Sequence, residues 1–298
     1  MTHPPIERPL LIRPARADDR DPVLAFSRQT WSWGDYLEHV WDDWLAASDG
    51  RLLVGEIGGR PIAVGRGRLV APGQGWLEGL RVDPSVRRFG VGGAMTEATL
   101  SAARELGATV VRFATRADAY PVHRIAERLG FVKVASYSDV GASALEGGGP
   151  QPVALDASAE DRVWDLLSAM VIPPITWRSW HCRTLDRDEV ARRLAAGEVF
   201  ALPDDVSVTG LAAASFAVAE AEDRALVMDA AAARDAQRLS ALGLGMRRLA
   251  AARSLARAEF RAPETELLLR ALATAGYASP GEGDVPFWVF EWRTTGGG

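Results

Sequence analysis

The sequence predicts an α+β fold made of two similar units, each a twisted, mixed, mostly antiparallel sheet flanked by helices. The chain has 298 residues, about twice the commonest size of a single domain. A Gly- and Pro-rich run at 141–152 interrupts it near the midpoint. Landmarks of the first half also recur in the second half in the same order. The expected division is therefore a first domain at 1–146, a linker at 147–152 and a second domain at 153–298.

Four landmarks of the first half recur at a nearly constant spacing. The pairs are Asp19 with Asp161, Gly65 with Gly210, Gly92 with Gly245, and Gly130 with Gly276. Their offsets are 142 (161 − 19), 145 (210 − 65), 153 (245 − 92) and 146 (276 − 130) residues. Ordered self-similarity at a fixed period is typical of duplicated units. We therefore expect two copies of one α/β unit.

Periodicity, caps and turns predict the elements of the first half in order. An apolar run predicts a strand at 10–14, and early acidic residues predict a helix at 18–28. A Ser-x-x-Asp pattern resembling a capping box begins a helix that reaches residue 46. A Gly-Gly-Arg turn joins apolar runs at 52–57 and 61–70, which predicts a hairpin.

The rest of this half alternates strands and helices, and each helix is followed by a stopping glycine, Gly107 or Gly130. The predicted elements are a strand at 76–82, a helix at 92–106, a strand at 109–114, a helix at 122–129, and strands at 131–138 and 139–145.

The composition excludes several classes of function. With 34 Lys+Arg against 39 Asp+Glu, the net charge is −5, which argues against a nucleic-acid partner. One cysteine and four histidines argue against a disulfide framework and a metal site. No segment has the apolar length of a membrane helix, and residues 1–9 lack the apolar core of a signal peptide. We expect a cytoplasmic protein without a membrane partner, acting as a monomer or a homodimer.

One segment carries a specific chemical signal. The strand at 76–82 ends at Asp83-Pro84, and Arg87-Arg88-Phe89-Gly90-Val91-Gly92-Gly93 then leads into a helix. The first backbone N–H groups of a helix have no intrahelical partner and favour anions, and glycines let the backbone approach a phosphate closely. The spacing is neither that of a P-loop nor G-x-G-x-x-G. A Gly-rich helix cap beside two solvated arginines is the alternative.

This segment resembles the acyl-CoA pyrophosphate motif of the GNAT superfamily of N-acetyltransferases. Arg128-Leu129-Gly130-Phe131 is similar to the second signature of the family, and the resemblance extends over 10–145, with 153–292 as a degenerate second copy. It implies direct transfer of acetyl from acetyl-CoA, as co-substrate, to a primary amine of a small molecule or peptide. The implied cofactor-binding residues are Leu80, Arg81, Val82, Arg87, Arg88, Phe89, Gly90, Val91, Gly92 and Gly93.

The transfer requires that an amine lose a proton and that a thiolate leave, which it can do with or without an acid. Alternation along the strand places Glu78 on one face with Trp76, Leu80 and Val82. Because Leu80 and Val82 are among the implied cofactor-binding residues, Glu78 is the candidate base, directly or through a water. A strand-edge charge is the alternative. The family's acid tyrosine corresponds to Ala126, and its helix-starting asparagine to Ala119.

Two other side chains of the same segment are candidates for the general acid. His123 lies one turn before Ala126 on the same predicted helix face, and Tyr120 lies close to it. A surface or capping histidine is the alternative.

The acceptor is expected near the tryptophan-rich segment of the first half. Trp31, Trp33 and Asp35 combine aromatic faces with a carboxylate, which suits an ammonium group. Alternatively, the tryptophans fill the core and the acidic residues form a solvent-exposed helix face. Cys182 follows His181 in the second half, and we expect it to be a buried thiol.

The second half departs from the motif, since Ser240 takes the aligned position of Arg87 before Gly243-Leu244-Gly245. We expect this half to have lost CoA binding. Two further alternatives stay open. The tandem arrangement also resembles mycothiol synthase, and Ala119 with Ala126 would suit a non-catalytic acyl-CoA-binding sensor or scaffold.

Overall fold

A computed structural model describes residues 9–28, 30, 34–169, 175–207, 210–220, 224–279, 281 and 285–294. The predicted α+β fold is confirmed, and the chain forms two compact units. The first unit contains the described residues of 1–115, 119–133 and 290–298, and the second those of 116–118 and 134–289.

The first unit contains five consecutive strands and four helices of the chain. They are β1 (Leu10–Pro14), α1 (Arg20–Ser27), α2 (Leu37–Ala46), β2 (Gly50–Ile57), β3 (Arg60–Ala71), β4 (Gln74–Val82), α3 (Val91–Glu105), β5 (Val110–Arg116) and α4 (Tyr120–Arg128). The strands lie in the order β1-β2-β3-β4-β5, antiparallel except for the parallel pair β4 and β5.

Both faces of this sheet are covered, so its central strands are apolar on both sides. Val64 of β3 packs with Trp41 and the other buried residues of α1 and α2 on one face. Its neighbour Ala63 packs with Met95 of α3 on the opposite face. The helices thus lie on the two sides of β4, the strand that carries the candidate base.

The second unit repeats this arrangement with different strand lengths. From residue 132 onward the elements of the chain are β6 (Val132–Ser143), β7 (Val153–Ala154), α5 (Glu160–Ser168), β8 (Ile175–Arg178), β9 (His181–Thr184), α6 (Arg187–Ala195), β10 (Val199–Ala201), β11 (Ala213–Glu220), β12 (Ala225–Ala233), α7 (Ala236–Ala252), β13 (Arg257–Pro263), α8 (Glu266–Thr274) and β14 (Phe287–Arg293), and β14 belongs to the first unit from residue 290. The sheet order β7-β10-β11-β12-β13 corresponds to β1-β2-β3-β4-β5, and β8 with β9 forms a separate hairpin.

The two units differ from the two halves of the chain in their last strands. β6 is one continuous strand rather than the two predicted at 131–138 and 139–145, and it pairs antiparallel with β13 in the second unit. Phe290–Arg293, at the far end of the chain, lies beside β5 in the first unit. Each unit therefore takes one strand from the other half of the sequence.

A buried ion pair holds this C-terminal segment in the first unit. The Glu291 Oε2 atom accepts a hydrogen bond from Arg112 Nε of β5 at 2.7 Å, and both side chains are buried. Phe290 stacks on Phe113 with ring centroids 5.3 Å apart. A buried charge without a partner strongly destabilises a fold, so the segment stays where Glu291 pairs with Arg112.

Candidate functional site

β4 separates from β5 after a short stretch of pairing. The two strands pair only at Gln74–Trp76 with Val110–Arg112, although β4 continues to Val82. Beyond Trp76 this edge of β4 has no strand partner in the described ranges. Its backbone groups are therefore not taken up by a neighbouring strand and can pair with an extended ligand, as at an exposed sheet edge, while the Leu80 carbonyl also accepts a hydrogen bond from Arg81 Nη1 at 3.0 Å.

A β-bulge lies in the part of β4 that has separated. Arg66 of β3 is opposite Glu78, whereas Val64 is opposite Arg81, so β4 has an extra residue between them. Gly79 has a φ of 68°, and a Cβ atom there would stand 2.6 Å from Cζ3 of Trp44. Only glycine combines this backbone conformation with the close approach of the indole ring.

The bulge overturns one expectation about β4. Leu80 and Val82 pack against the α3 side, whereas Glu78 lies opposite Arg66 on the other face. An inserted residue reverses the alternation of side chains, so Glu78 does not share a face with Leu80 and Val82 as predicted. A glycine inside a strand pattern was the available signal for this bulge.

The turn after β4 leaves the start of α3 open. Buried Asp83 accepts hydrogen bonds from Ser85 N at 2.9 Å and Ser85 Oγ at 2.7 Å, and Arg60 contacts it at 2.7 Å. Although burial alone would raise the pKa of Asp83, these contacts lower it overall. The anchored turn then reaches Gly90, the N-cap of α3, with a φ of 82° and no side-chain cap.

Exposed cations lie around the uncapped start of α3. Arg87 and Arg88 are exposed, and neither guanidinium group forms a hydrogen bond or ion pair with another described residue, whereas Arg87 N donates to the Pro84 carbonyl at 3.4 Å. Arg88 has a φ of 72°, which is uncommon for a residue other than glycine and typical of functional turns. A Cβ atom at Gly90 would meet nothing within 4 Å, so the space in front of the helix is open.

The remaining predicted residues of this turn lie in its interior. Phe89 and Val91 pack in the apolar cluster under α3. A Cβ atom on Gly92 would make ordinary contacts with Ile125 and Val82, at 3.6 and 3.9 Å. A Cβ atom on Gly93 would instead collide with the guanidinium of Arg128, the last residue of α4. Arg128 is thus a further cation at this helix start, and it was not among the predicted residues.

Glu78 lies in a cluster of charged side chains on the α1 and α2 side of the sheet. Its Oε1 atom contacts Arg66 Nη1 at 2.8 Å and Arg68 Nε at 3.0 Å. Burial raises the pKa of Glu78 above its ordinary value, and the two guanidinium groups only partly oppose that rise. A carboxylate with a raised pKa, on a strand edge open to a ligand, has the properties of a general base.

The predicted cofactor residue Arg81 and the predicted acceptor residue Asp35 bind each other. Arg81 Nε donates to Asp35 Oδ2 at 2.6 Å, and the Asp35 side chain is buried. The Arg81 guanidinium also lies 5.2 Å from the ring centroid of Tyr36. Asp35 therefore neutralises Arg81 and ties the segment before α2 to β4. Trp31 and Trp33 lie outside the described residues.

The two candidate acids differ in burial. Tyr120 is 63% exposed at the start of α4, whereas His123 is only 6% exposed. The His123 ring lies 5.3 Å from the ring of Phe290 and 5.9 Å from that of Tyr120. Ala126 is fully buried and offers no proton donor. Sequence reasoning could not have found Phe290, because it lies far from α4 in the sequence.

The second unit closes the equivalent helix start. α7 begins at Ala236, an interval of 145 residues after Val91 (236 − 91), which agrees with the other repeat offsets. The Asp235 side chain caps it by accepting from Arg238 N at 2.8 Å. A carboxylate thus occupies the position where the first unit leaves backbone amides open.

The predicted alignment of the second copy was therefore shifted. Ser240, Gly243 and Gly245 lie inside α7 instead of before it. Tyr277 Oη donates to the Gly243 carbonyl at 3.1 Å, and a Cβ atom on Gly245 would press on Pro152 at 3.0 Å. These glycines permit close packing and do not form a phosphate-binding turn.

Two further features concern metals and membranes. Among the described residues, no group of three or more His, Cys, Asp and Glu side chains is arranged to hold a metal ion. None of the helices in the described part of the chain has the apolar length that crossing a bilayer requires. Cys182 is a buried thiol, as expected.

Comparison with known proteins gives one family match, over part of the chain. Residues 20–131 match the model described as the acetyltransferase (GNAT) family. A search of curated proteins finds no match. A GCN5-related N-acetyltransferase from Sphaerobacter thermophilus is 14% identical, with a TM-score of 0.60, over 95% of each chain.

Two other solved structures are similar over nearly the whole chain. A tandem GNAT protein from the clavulanic acid biosynthesis pathway is 14% identical, with a TM-score of 0.54, over 97% of this chain and 100% of that one. A glucosamine N-acetyltransferase region of a fungal multi-domain GH3 β-N-acetylglucosaminidase is 13% identical, with a TM-score of 0.63. It covers 96% of this chain and 38% of that one. At these identities the likeness shows the fold.

Proposed function

We propose that residues 20–131, which match the model of the acetyltransferase (GNAT) family, form a domain that moves an acetyl group from acetyl-CoA to a primary amine. The observation that carries the proposal is the continuity of three features. The uncapped start of α3 follows directly on β4, whose edge is open beyond Trp76 and whose bulge adjoins Glu78. Phosphate, pantetheine and reacting thioester would thus lie along one strand.

The residues present fit the co-substrate. The diphosphate would bind at the backbone amides of Arg88–Gly93, where the positive end of α3 favours an anion. The Arg87 and Arg88 guanidinium groups would add positive charge. The pantetheine arm would pair with the backbone of Leu80 and Val82 at the open edge of β4.

The reaction is a direct transfer. Glu78, or a water that it holds, takes a proton from the ammonium group, and the amine nitrogen attacks the thioester carbonyl. The C–N bond forms, the nitrogen releases its surplus proton to water, the C–S bond breaks, and the CoA thiolate leaves. His123 or Tyr120 would protonate that thiolate. Of the two, Tyr120 is exposed to solvent and therefore exchanges its proton directly with water.

The acceptor is proposed to be an amine of a small molecule or a peptide. Trp31, Trp33 and Asp35 stay the proposed acceptor-side residues, with Asp35 acting through its ion pair with Arg81. In the second unit, capping by Asp235 supports the proposal that this unit does not bind CoA. We place the reaction in the cytoplasm, since a chain with one cysteine needs no oxidising compartment.

A thiol-release assay tests the function. The protein is incubated with acetyl-CoA and a panel of amines while free CoA thiol is followed. Release that depends on a particular amine supports the enzyme. Binding of CoA without release from any amine would support the second candidate, an acyl-CoA sensor, which the buried Ala126 at the usual acid position favours.

Glu78→Gln tests the base. Because the base must be ionised, activity of the wild type should fall as the pH drops through the raised pKa of Glu78. The kcat of the variant should be about 100-fold or more below that of the wild type, and its CoA affinity should be normal. The fall of activity at low pH, the acid limb of the pH profile, should be absent from the variant. Glu97→Gln, at an exposed site on α3, is the matched control. Unchanged turnover in Glu78→Gln would exclude Glu78 as the base.

A further inference from the structure

Four charged side chains beside the bulge form a closed ring. Arg66 and Arg68 both contact the same oxygen of Glu78, Oε1, at 2.8 and 3.0 Å. On their other side both contact Asp49, at 2.6 Å from Arg66 and 3.3 Å from Arg68. Each guanidinium thus bridges the same two carboxylates.

The backbone around the ring is built to hold it. Arg66 and Arg68 alternate on β3 and therefore point to one face, and Arg66 lies opposite Glu78. Leu69 N donates to the Asp49 carbonyl at 2.8 Å. Gly50 lies opposite Arg68, and a Cβ atom there would stand 2.8 Å from Arg66 Nε. The glycine therefore leaves the space that the arginines occupy.

The ring separates the two oxygens of Glu78. Both arginines bind Oε1, and no described residue donates a hydrogen bond to Oε2. A carboxylate held by one oxygen in this way presents the other in a fixed direction. The Arg66 guanidinium also lies 5.2 Å from the ring centroid of Trp44, the side chain that packs on Gly79. The ring thus links the carboxylate to the bulge.

We propose that Asp49 is a positioning residue of the acetyl transfer, which completes this ring, directs Glu78 Oε2 towards the acceptor amine and sets the pH at which Glu78 becomes a base. The inference rests on the proposed function. Asp49 is itself 46% exposed, whereas Arg66 is 3% and Glu78 14% exposed. Asp49 therefore acts on the reaction only through Arg66 and Arg68. The positive charge of these two arginines is shared between Asp49 and Glu78.

The other charged groups on this face do not supply the same effect. Asp35 and Arg81 neutralise each other in a buried pair. The Tyr36 phenol has a pKa raised by burial, so it is neutral throughout the range in which a carboxylate titrates. Within the described residues, Asp49 is thus the acidic group that competes with Glu78 for Arg66 and Arg68.

Substitutions within the ring have opposite predicted signs. Asp49→Asn removes a negative charge and leaves the arginines to Glu78, so the acid limb of kcat/KM should move to lower pH by roughly 0.5 unit. Arg68→Gln removes a positive charge and should move the limb to higher pH by about 1 unit. Asp21→Asn, at a side chain 92% exposed on α1, is the control and should leave the limb in place.

The experiment is a set of pH profiles of kcat/KM for the wild type and these variants, with acetyl-CoA and the best amine of the panel. Shifts in opposite directions support the proposal. An unmoved limb in Asp49→Asn, with or without a loss of thermal stability, overturns it and leaves a structural role. If Glu78→Gln keeps the acid limb, Glu78 is not the base, and the proposed function of Glu78 fails together with this inference.

Discussion

Replacing Glu291 by alanine tests whether the end of the chain belongs to the core of the first unit. Glu291 and Arg112 are 179 positions apart, yet their side chains form a buried ion pair at 2.7 Å, with side-chain exposures of 8% and 1%. Removing one partner of a buried pair typically costs 3–5 kcal/mol, because the other charge stays buried. We expect Glu291→Ala to lower the free energy of unfolding by about 3 kcal/mol.

The matched control is Arg293→Gln, two positions further along the same strand. Arg293 also contacts Glu291, at 2.6 Å, but its side chain is 61% exposed, and exposed pairs contribute about 0–1 kcal/mol. Equilibrium urea denaturation, followed by tryptophan fluorescence, measures both variants against the wild type. If Glu291→Ala costs no more than Arg293→Gln, the reasoning about the buried pair is refuted.

The remaining predictions concern the two helix starts and one acidic side chain. Arg128→Gln should weaken CoA binding roughly tenfold and leave pantetheine binding unchanged, as measured by calorimetry. Adding Gly93→Ala to that variant should cause no further loss of CoA affinity, because the alanine methyl group acts by displacing the same Arg128 guanidinium. Asp235→Ala should cost about 1 kcal/mol in thermal unfolding, because α7 loses its cap, and an unchanged melting temperature would contradict it. The hydrogen bond from Arg13 lowers the pKa of Asp19, so the ionised Asp19 carboxylate stabilises the fold at any pH above the ordinary pKa of an aspartate. This stabilisation is lost as the pH falls through the lowered pKa of Asp19. Asp19→Asn should therefore be less stable than the wild type at pH 7, and the difference in stability should vanish in acid.

The sequence predicted local structure well because its signals are local. Asp83-Pro84 marks the end of β4, the glycines after it mark the start of α3, and Gly130 follows the end of α4, as the structure has them. The start of α7 was misplaced because Gly243 resembles the glycines of the first turn. Its real role is contact with Tyr277, which a one-dimensional pattern does not reveal.

The sequence analysis missed two features of the first unit, for different physical reasons. The bulge at Gly79 depends on how β4 pairs with β3, and a one-residue change of register reverses every later side chain. The partner of Arg112 lies 179 positions further along the chain, and no periodicity connects residues so far apart. The sequence therefore identified candidate side chains, but it did not predict which face of the sheet each one occupies or which residue it contacts.

The exchange of the last strands has a consequence for the order in which the protein can be made. Domains usually fold as they emerge during synthesis, the N-terminal one first. Here the residues that cover β5 of the first unit, Phe290–Arg293, are translated after the strands and helices of that unit, with the second unit in between. Until they leave the ribosome, the edge of β5 stays open, and open edges invite pairing with other chains. A chain that stops early would therefore lack a complete first unit, although every residue proposed to bind CoA has already been translated.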